Sequence, residues 1–157
     1  MVEPWDTRFL HLAREISTWS KDPSTQVGAV IINEKRRILA TGYNGFPRGI
    51  FDKESRLQDR EQKYQLVVHA EMNAIYNATY NGVCLEGSTL YVWGLPACSE
   101  CAKGIIQVGI KKVVMADINK VDKWQKSFEI SKALFDEASI EYKMVEVNGL
   151  QKNSDSK

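Results

Sequence analysis

Two short motifs constrain what this chain can fold into more strongly than any other feature. The first places His69 two residues before Glu71, and the second sets Cys98 and Cys101 in a Cys-x-x-Cys pair. One imidazole and two thiolates form a ligand set that suits zinc. Three protein ligands leave the fourth tetrahedral position open, which is typical of catalytic rather than structural zinc. Glu71, a carboxylate outside the ligand set, is suited to proton transfer.

Both motifs open predicted helices. Apolar residues recur at helical spacing over 68–80 and again over 98–108. His69 therefore falls at the start of one helix and Cys98 at the start of the other. Because both sets of ligands must meet at one metal, we expect the two helix N-termini to lie side by side at the carboxyl edge of a sheet.

The remaining pattern predicts the elements that hold these helices. Further helices are expected over 4–19 and 126–138, and strands over 26–32, 38–43, 89–93, 112–116 and 141–147. Segment 52–65 is polar and has no clear periodicity, so it reads as a long connection of the kind that often forms lids or interfaces. This order of elements predicts an α/β protein whose mixed five-stranded sheet carries helices on both faces.

Length and charge narrow the class of protein. A chain of 157 residues predicts one domain, here residues 1–147, followed by a polar tail over 148–157. A formal net charge of +1 does not indicate the excess of basic residues that binding of a polyanion requires, so nucleic acid is not an expected partner. No apolar run is long enough for a membrane span, and the N-terminus is unlike a signal peptide. The third cysteine, Cys84, has no partner for a disulfide, which fits a cytoplasmic protein.

Four stretches of the chain resemble the cytidine deaminase superfamily and, more narrowly, the deoxycytidylate (dCMP) deaminase family. They are Ser20–Ile31, Gly42–Gly49, His69–Ile75 and Cys98–Ile110. The similarity extends from about residue 9 to 142, and the first two stretches favour the dCMP deaminases. It implies a three-layer α/β/α cytidine-deaminase-like fold. It also implies hydrolysis of dCMP to dUMP and ammonia by a zinc-activated water, supplying dUMP for dTTP synthesis.

The resemblance assigns roles to individual residues. One catalytic zinc per subunit would be held by His69, Cys98 and Cys101, with Glu71 as the proton carrier. Asn44 would hold the deoxyribose, and the Ala70 backbone would contact the base. Independently of the resemblance, Thr25 is a candidate for the sugar-phosphate end. Trp124 is either a lid that stacks on the base or a surface-packed aromatic.

The resemblance also implies regulation and assembly. The expected protein is a homohexamer that dCTP with Mg²⁺ activates and dTTP inhibits. The residues expected at the effector site lie in one loop and are Gly42, Tyr43, Asn44, Gly45 and Arg48.

One departure from the family pattern and several alternatives stay open. The family has Pro directly before the first metal-binding Cys, whereas Ala97 here separates Pro96 from Cys98, next to a pocket wall expected to include Trp93. The chain could also accept dCTP, or deaminate adenosine in tRNA or a free nucleoside. The alternative from a different class is a non-catalytic module stabilised by zinc, although Glu71 has no purpose there.

Overall fold

The computed structural model describes residues 3–118 and 124–146, so the predicted tail over 148–157 and the last residue of the fifth predicted strand lie outside it. It contains six helices and five strands in this part of the chain. The helices are α1 (Pro4–Ser17), α2 (Glu54–Gln58), α3 (Arg60–Leu66), α4 (Ala70–Tyr80), α5 (Ser99–Gln107) and α6 (Gln125–Glu137). The strands are β1 (Gly28–Ile32), β2 (Ile38–Tyr43), β3 (Thr89–Trp93), β4 (Lys112–Asp117) and β5 (Glu141–Glu146).

The five strands form one mixed sheet in the order β2-β1-β3-β4-β5. Strand β1 is antiparallel to both β2 and β3, whereas β3, β4 and β5 are parallel to one another. A short polar segment over 33–37 joins β1 to β2 as a hairpin. Helices α5 and α6 supply the crossover connections that parallel strands require. The predicted mixed five-stranded sheet is confirmed.

Alternate residues of the central strands enter two separate cores, one on each face of the sheet. Ala29 and Ile31 pack on the face covered by α4, α5 and α6. Val30 and Ile32 pack on the opposite face, which α1 covers with Phe9, Leu10, Ala13 and Ile16. The predicted three-layer arrangement is therefore present.

Two glycines let helices lie directly on strands. A Cβ atom at Gly28 would be 2.0 Å from the Ala13 carbonyl oxygen of α1. A Cβ atom at Gly42 would be 2.3 Å from the Ala74 amide nitrogen of α4. Because neither position has room for a side chain, these glycines fix how closely α1 and α4 approach the sheet.

The sheet brings the metal-binding motifs to one edge. Gly28 at the start of β1 pairs with Tyr43 on one side and with Trp93 on the other, so β2 and β3 end at the same edge. The chain leaving β3 enters α5, and the chain leaving β2 returns to this edge through a bridge between Gly45 and Val68, just before α4. The N-termini of α4 and α5 therefore meet beside the sheet.

The structure corrects the sequence prediction for several elements, and helix α1 ends at Ser17 rather than residue 19. Segment 52–65, predicted as an irregular connection, contains α2 and α3, which bury only one side chain, that of Lys63. Helix α4 begins at Ala70 rather than residue 68, because Val68 is extended and exchanges two backbone hydrogen bonds with Gly45. Strand β1 begins at Gly28 rather than residue 26, because the Val27 amide is bonded by the Asn44 side chain.

No helix within the described ranges is both long enough and apolar enough to cross a membrane.

Candidate metal centre and active-site cavity

The three predicted metal ligands converge at the N-termini of α4 and α5. His69 is the N-cap residue of α4, Cys98 is the N-cap residue of α5, and Cys101 lies in the first turn of α5. The Nδ1 atom of His69 is 3.3 Å from Cys98 Sγ and 3.4 Å from Cys101 Sγ. All three donor atoms lie within 4.8 Å of one another. The structure thus brings together residues that sequence spacing alone had grouped.

This donor set fits a tetrahedral zinc ion. Ordinary Zn–N and Zn–S bonds at tetrahedral angles require nitrogen and sulfur to be about 3.6 Å apart. The observed separations of His69 Nδ1 from the two sulfurs fall within a few tenths of an ångström of that value. No other cluster of three or more His, Cys, Asp or Glu residues within 3–118 and 124–146 could hold a metal. Three ligands leave one coordination position for a ligand from solvent or substrate.

Contacts among the three predicted ligands change the pKa values of their side chains. The contact with Cys101, supported by His69, lowers the pKa of the Cys98 thiol to about 4 against the opposing effect of burial. The hydrogen bond to Cys98 raises the pKa of the His69 imidazole to about 9, and contact with Cys98 together with burial raises the pKa of Cys101. Cys98 is therefore a ready thiolate, whereas His69 and Cys101 must each release a proton when a metal binds.

Glu71 is buried beside this cluster without belonging to it. The residue is 3% exposed and occupies the first turn of α4. Burial raises the pKa of its carboxyl group, although the neighbouring charge of His69 acts to lower it. A carboxyl group whose pKa moves toward neutrality can both accept and return a proton, which is the property needed in a general acid–base.

The segment before Cys98 is held by α6. Ala97 is fully buried, and its carbonyl oxygen accepts a 2.8 Å hydrogen bond from the Ser131 hydroxyl. The Ser99 amide at the start of α5 donates a 2.9 Å hydrogen bond to the Ser127 hydroxyl. The extra residue at Ala97 is therefore absorbed into the core, and the Cys-x-x-Cys turn stays fixed.

One cavity collects most of the predicted site residues. It is bordered by Thr25, Asn44, His69, Ala70, Glu71, Cys98 and Trp124. Pro96 also borders this cavity. Trp93, expected in the same wall, does not: it packs on the opposite face of the sheet, with the Arg14 guanidinium 5.5 Å from its ring centre. Ala70 is fully buried, and Trp124 is half-buried at the start of α6.

The Asn44 amide serves the neighbouring loop. Its Oδ1 atom accepts a 2.8 Å hydrogen bond from the Val27 amide, and its Nδ2 atom donates a 2.9 Å hydrogen bond to the Thr25 carbonyl oxygen. The Ser20 hydroxyl also donates to the Asn44 carbonyl oxygen over 2.8 Å. Asn44 thus fixes the loop over 20–27 that forms one wall of the cavity.

The residues of the predicted effector site fall into three groups. Tyr43, Asn44 and Gly45 border a second cavity next to the first. Gly42 instead packs against α4, and the Arg48 guanidinium contacts Asn77 and the Tyr80 ring on the same helix.

Sequence reasoning missed two charged residues of the main cavity, Asp22 and Lys63. The Lys63 ammonium lies 3.2 Å from Asp22 Oδ1, and the two side chains are only 7% and 10% exposed. The two residues are 41 positions apart, and Lys63 stands in the polar segment before α4, so no periodic pattern marks either. A buried ion pair at a cavity is a candidate functional feature because its burial is costly.

The sequence and the structure both match known deaminases. Residues 3–117 match the family model described as cytidine and deoxycytidylate deaminase zinc-binding region. The chain is 42% identical over 149 residues to a probable deoxycytidylate deaminase of Drosophila melanogaster, covering 88% of this chain and 71% of that protein. It is 40% identical over 143 residues to an uncharacterized deaminase from the luxG 3′ region of Aliivibrio fischeri, covering 90% of this chain and 93% of that protein.

A solved structure shares the fold. The dCMP deaminase of cyanophage S-TIM5, crystallised with dCMP and dUMP, superposes with a TM-score of 0.70 at 23% identity. The similarity covers 92% of this chain and 100% of the phage chain.

Proposed function

Because this chain belongs to the family of cytidine and deoxycytidylate deaminases with a zinc-binding region, we propose that it hydrolyses dCMP to dUMP and ammonia. The reaction would supply dUMP for dTTP synthesis. The observation that carries the proposal is the position of Glu71. It is buried beside the cluster of His69, Cys98 and Cys101, and it borders the same cavity as His69 and Cys98. The substrate is taken from the name of the Drosophila relative, a probable deoxycytidylate deaminase.

Zinc is the metal that best suits the donor set. His69, Cys98 and Cys101 would hold it, and as a Lewis acid it would supply an activated water at neutral pH. The N-termini of α4 and α5 add partial positive charge at this point, which helps to keep the two thiolates ionised. The burial of Cys101 and the hydrogen bond from the Ser99 amide on α5 to the Ser127 hydroxyl on α6 support the position of the two cysteine ligands.

Glu71 would carry the protons of the reaction. It accepts a proton from the attacking water while the water oxygen bonds to C4 of the cytosine ring. It then delivers that proton to ring N3. It next transfers the proton of the new C4 hydroxyl to the amino group, so that the C4–N bond breaks, the C4 oxygen becomes a carbonyl and ammonia leaves. Burial of the carboxyl group supports this role, since the raised pKa lets Glu71 hold the proton between the two transfers.

The walls of the cavity would bind the rest of the substrate. The Ala70 backbone is placed next to Glu71 and can contact the base, while the half-buried Trp124 can cover it by stacking. Thr25 and Asn44 border the same cavity and are suited to the sugar end. Because both the oxygen and the nitrogen of the Asn44 amide already bond the loop at 25–27, Asn44 would act chiefly by shaping this end.

We extend the proposal to regulation by dCTP with Mg²⁺ as activator and dTTP as inhibitor. The second cavity supports an effector site at the Gly42–Gly49 loop, because Trp19 and Tyr43 lie at its border with their ring centres 6.2 Å apart. Both side chains are more than a third exposed and could stack on a nucleotide base. Lys21 borders the same cavity and could pair with the phosphates of the nucleotide.

The proposed assembly is a homohexamer. Exposed aromatic side chains support self-association because such residues are enriched in protein interfaces. They are Tyr76 and Tyr80 on α4 and Phe51 in the loop before α2.

The proposed function is tested by measuring ammonia release from dCMP, dCTP, deoxycytidine and a tRNA anticodon stem, each with and without dCTP and dTTP as effectors. We expect turnover of dCMP, with sigmoidal kinetics that become hyperbolic when dCTP is added. Hyperbolic kinetics insensitive to both triphosphates would reject the regulatory part alone. Turnover of another substrate only would overturn the assignment of dCMP, and no turnover by the zinc-loaded protein would favour a non-catalytic module.

A further inference from the structure

The two carboxylate oxygens of Asp22 have unequal surroundings. Oδ1 accepts hydrogen bonds from the Ser24 amide at 2.8 Å, the Ser24 hydroxyl at 2.9 Å, the Thr25 amide at 3.1 Å and the Lys63 ammonium at 3.2 Å. Within the described part of the chain, the contact found at Oδ2 is a 3.5 Å one from Asn44 Nδ2. A carboxylate oxygen has two lone pairs, so Oδ2 keeps most of its capacity to accept a hydrogen bond.

The surrounding donors keep Asp22 ionised. Burial alone would raise the pKa of Asp22, but hydrogen bonds from Thr25, Ser24 and Lys63 outweigh it and hold the pKa below its usual value. At neutral pH the side chain is therefore an acceptor without a proton to donate. The Lys63 ammonium also donates to Ser24 Oγ over 2.7 Å, so it ties α3 to the loop that carries the carboxylate.

Asp22 lies where the active-site cavity meets its neighbours. It borders the main cavity and two adjoining ones, whereas His69, Glu71 and Cys98 border the main cavity alone. A substrate whose base reacts at Glu71 can extend its sugar toward this rim, because Asp22 and Glu71 border the same cavity. The groups that it meets there therefore select among substrates without taking part in the chemical step.

The charge of Asp22 decides which part of a nucleotide it can bind. At neutral pH a phosphate monoester is mostly a dianion, which a carboxylate would repel. A sugar hydroxyl donates a hydrogen bond, and deoxyribose in dCMP has a single free hydroxyl, at the 3′ position. Hydrogen bonds to an ionised acceptor are about twice as strong as those between neutral groups, which suits a discriminating contact.

We propose that Asp22 Oδ2 accepts a hydrogen bond from the 3′-hydroxyl of the substrate deoxyribose, and that Lys63 is a positioning residue that holds this carboxylate in place. This inference rests on the proposed function, since it concerns the same cavity. It separates the role of Asn44, which shapes the loop, from that of Asp22, which contacts the sugar.

The test compares dCMP with 2′,3′-dideoxycytidine 5′-monophosphate, which lacks only the 3′-hydroxyl. The wild-type enzyme should prefer dCMP by about 10- to 100-fold in kcat/KM, the range expected when a hydrogen bond to a charged group is lost. In Asp22→Ala this preference should fall to within about threefold, because no acceptor is left. In Asp22→Asn it should fall to about three- to tenfold, because a neutral acceptor replaces an ionised one. The ratio is taken within each variant, so a general loss of activity cancels.

Asp136→Asn is the matched control, because it makes the same chemical change at an exposed carboxylate on α6 outside the cavity. It should keep the wild-type preference. Lys63→Met should reduce the preference, and Lys63→Arg should restore part of it, since an arginine can still donate to Asp22.

Three results would overturn the inference. They are a wild-type enzyme that ignores the 3′-hydroxyl, an Asp22→Asn variant that keeps the full preference, and an equal loss of preference in Asp136→Asn. If the wild-type enzyme acted on deoxycytidine and not on dCMP, the proposed substrate would be wrong. The same comparison with 2′,3′-dideoxycytidine would then still decide the role of Asp22.

Discussion

The Nδ1 atom of His69 lies 3.3 Å from the Sγ atom of Cys98, although the two residues are 29 positions apart in the chain. This contact joins the N-cap residues of α4 and α5, two helices that begin at the same edge of the sheet. It depends on the pairing of Gly28 with both Tyr43 and Trp93, which makes β2 and β3 end together. The metal centre is therefore a product of the sheet topology as much as of the ligands themselves.

Replacement of a cysteine ligand should remove the metal. We expect Cys101→Ser to lose most of its zinc during gel filtration, because a neutral hydroxyl is a far poorer zinc ligand than a thiolate. Cys84→Ser makes the same change at an exposed free cysteine outside the cluster and should keep its zinc. Metal content measured by atomic emission checks both, and equal zinc content in the two variants would refute the assigned ligand set.

Replacement of Glu71 should separate catalysis from metal binding. Glu71→Gln keeps the shape of the side chain and removes proton transfer, so kcat should fall by about 10²- to 10⁴-fold while zinc content stays unchanged. Glu100→Gln, an exposed carboxylate on α5 that pairs with Lys103, should keep both properties. Loss of zinc from Glu71→Gln would mean that Glu71 is a ligand and that its proposed role is wrong.

Much of the fold could be predicted from the sequence, for reasons that particular elements make clear. Strands β2 and β3 were predicted with the bounds that the structure gives them, because β-branched and aromatic residues make up half of β2 and most of β3. Helices α2 and α3 were not predicted, because they bury a single side chain and so have no apolar stripe. Their one buried residue, Lys63, is charged, and a periodicity argument cannot recognise it.

Some residues of the candidate site could likewise be identified from the sequence, and others could not. His69, Glu71, Cys98 and Cys101 could be identified because ligand chemistry restricts both residue type and spacing. Asp22 could not, because its environment depends on a contact with Lys63 across 41 residues and on the loop shaped by Asn44. Such long-range pairs leave no local signal in a single sequence.

The close packing of α1 on β1 predicts a strong effect at Gly28. Gly28→Ala would place a Cβ atom 2.0 Å from the Ala13 carbonyl oxygen, so the helix must move away from the sheet. We expect a loss of at least about 2 kcal/mol in the free energy of unfolding. Gly45→Ala is a matched control because the nearest atom to its Cβ is 3.9 Å away. Urea unfolding of both variants measures the difference, and equal stabilities would contradict the described packing.

The buried Asp6 carboxylate predicts a pH dependence of stability. It accepts a 2.7 Å hydrogen bond from the Tyr91 hydroxyl and forms an ion pair with Lys143. Burial alone would raise the pKa of Asp6, but these two partners outweigh it and lower the pKa. The unfolded chain therefore binds a proton more readily than the folded one, so the contribution of Asp6 is complete above about pH 4 and is lost as the pH falls further.

Asp6→Asn measures that contribution. At pH 7 the variant should lose about 2 kcal/mol of unfolding free energy, the cost of a charge-assisted hydrogen bond, and the difference from wild type should shrink below pH 4. Asp136→Asn, at an exposed position, should have the same free energy of unfolding as wild type both at pH 7 and below pH 4. A difference between Asp6→Asn and wild type that stayed constant down to pH 3 would contradict the lowered pKa.

The most direct test of the proposed reaction is to convert dCMP in water enriched with ¹⁸O and to analyse the product by mass spectrometry. Hydrolytic deamination with Glu71 as proton carrier predicts dUMP with one ¹⁸O atom, at position 4 of the ring, and one ammonia per dUMP formed. The Glu71→Gln variant should leave dCMP unchanged over the same period. Unlabelled dUMP, product without ammonia, or equal conversion by the Glu71→Gln variant would contradict the account.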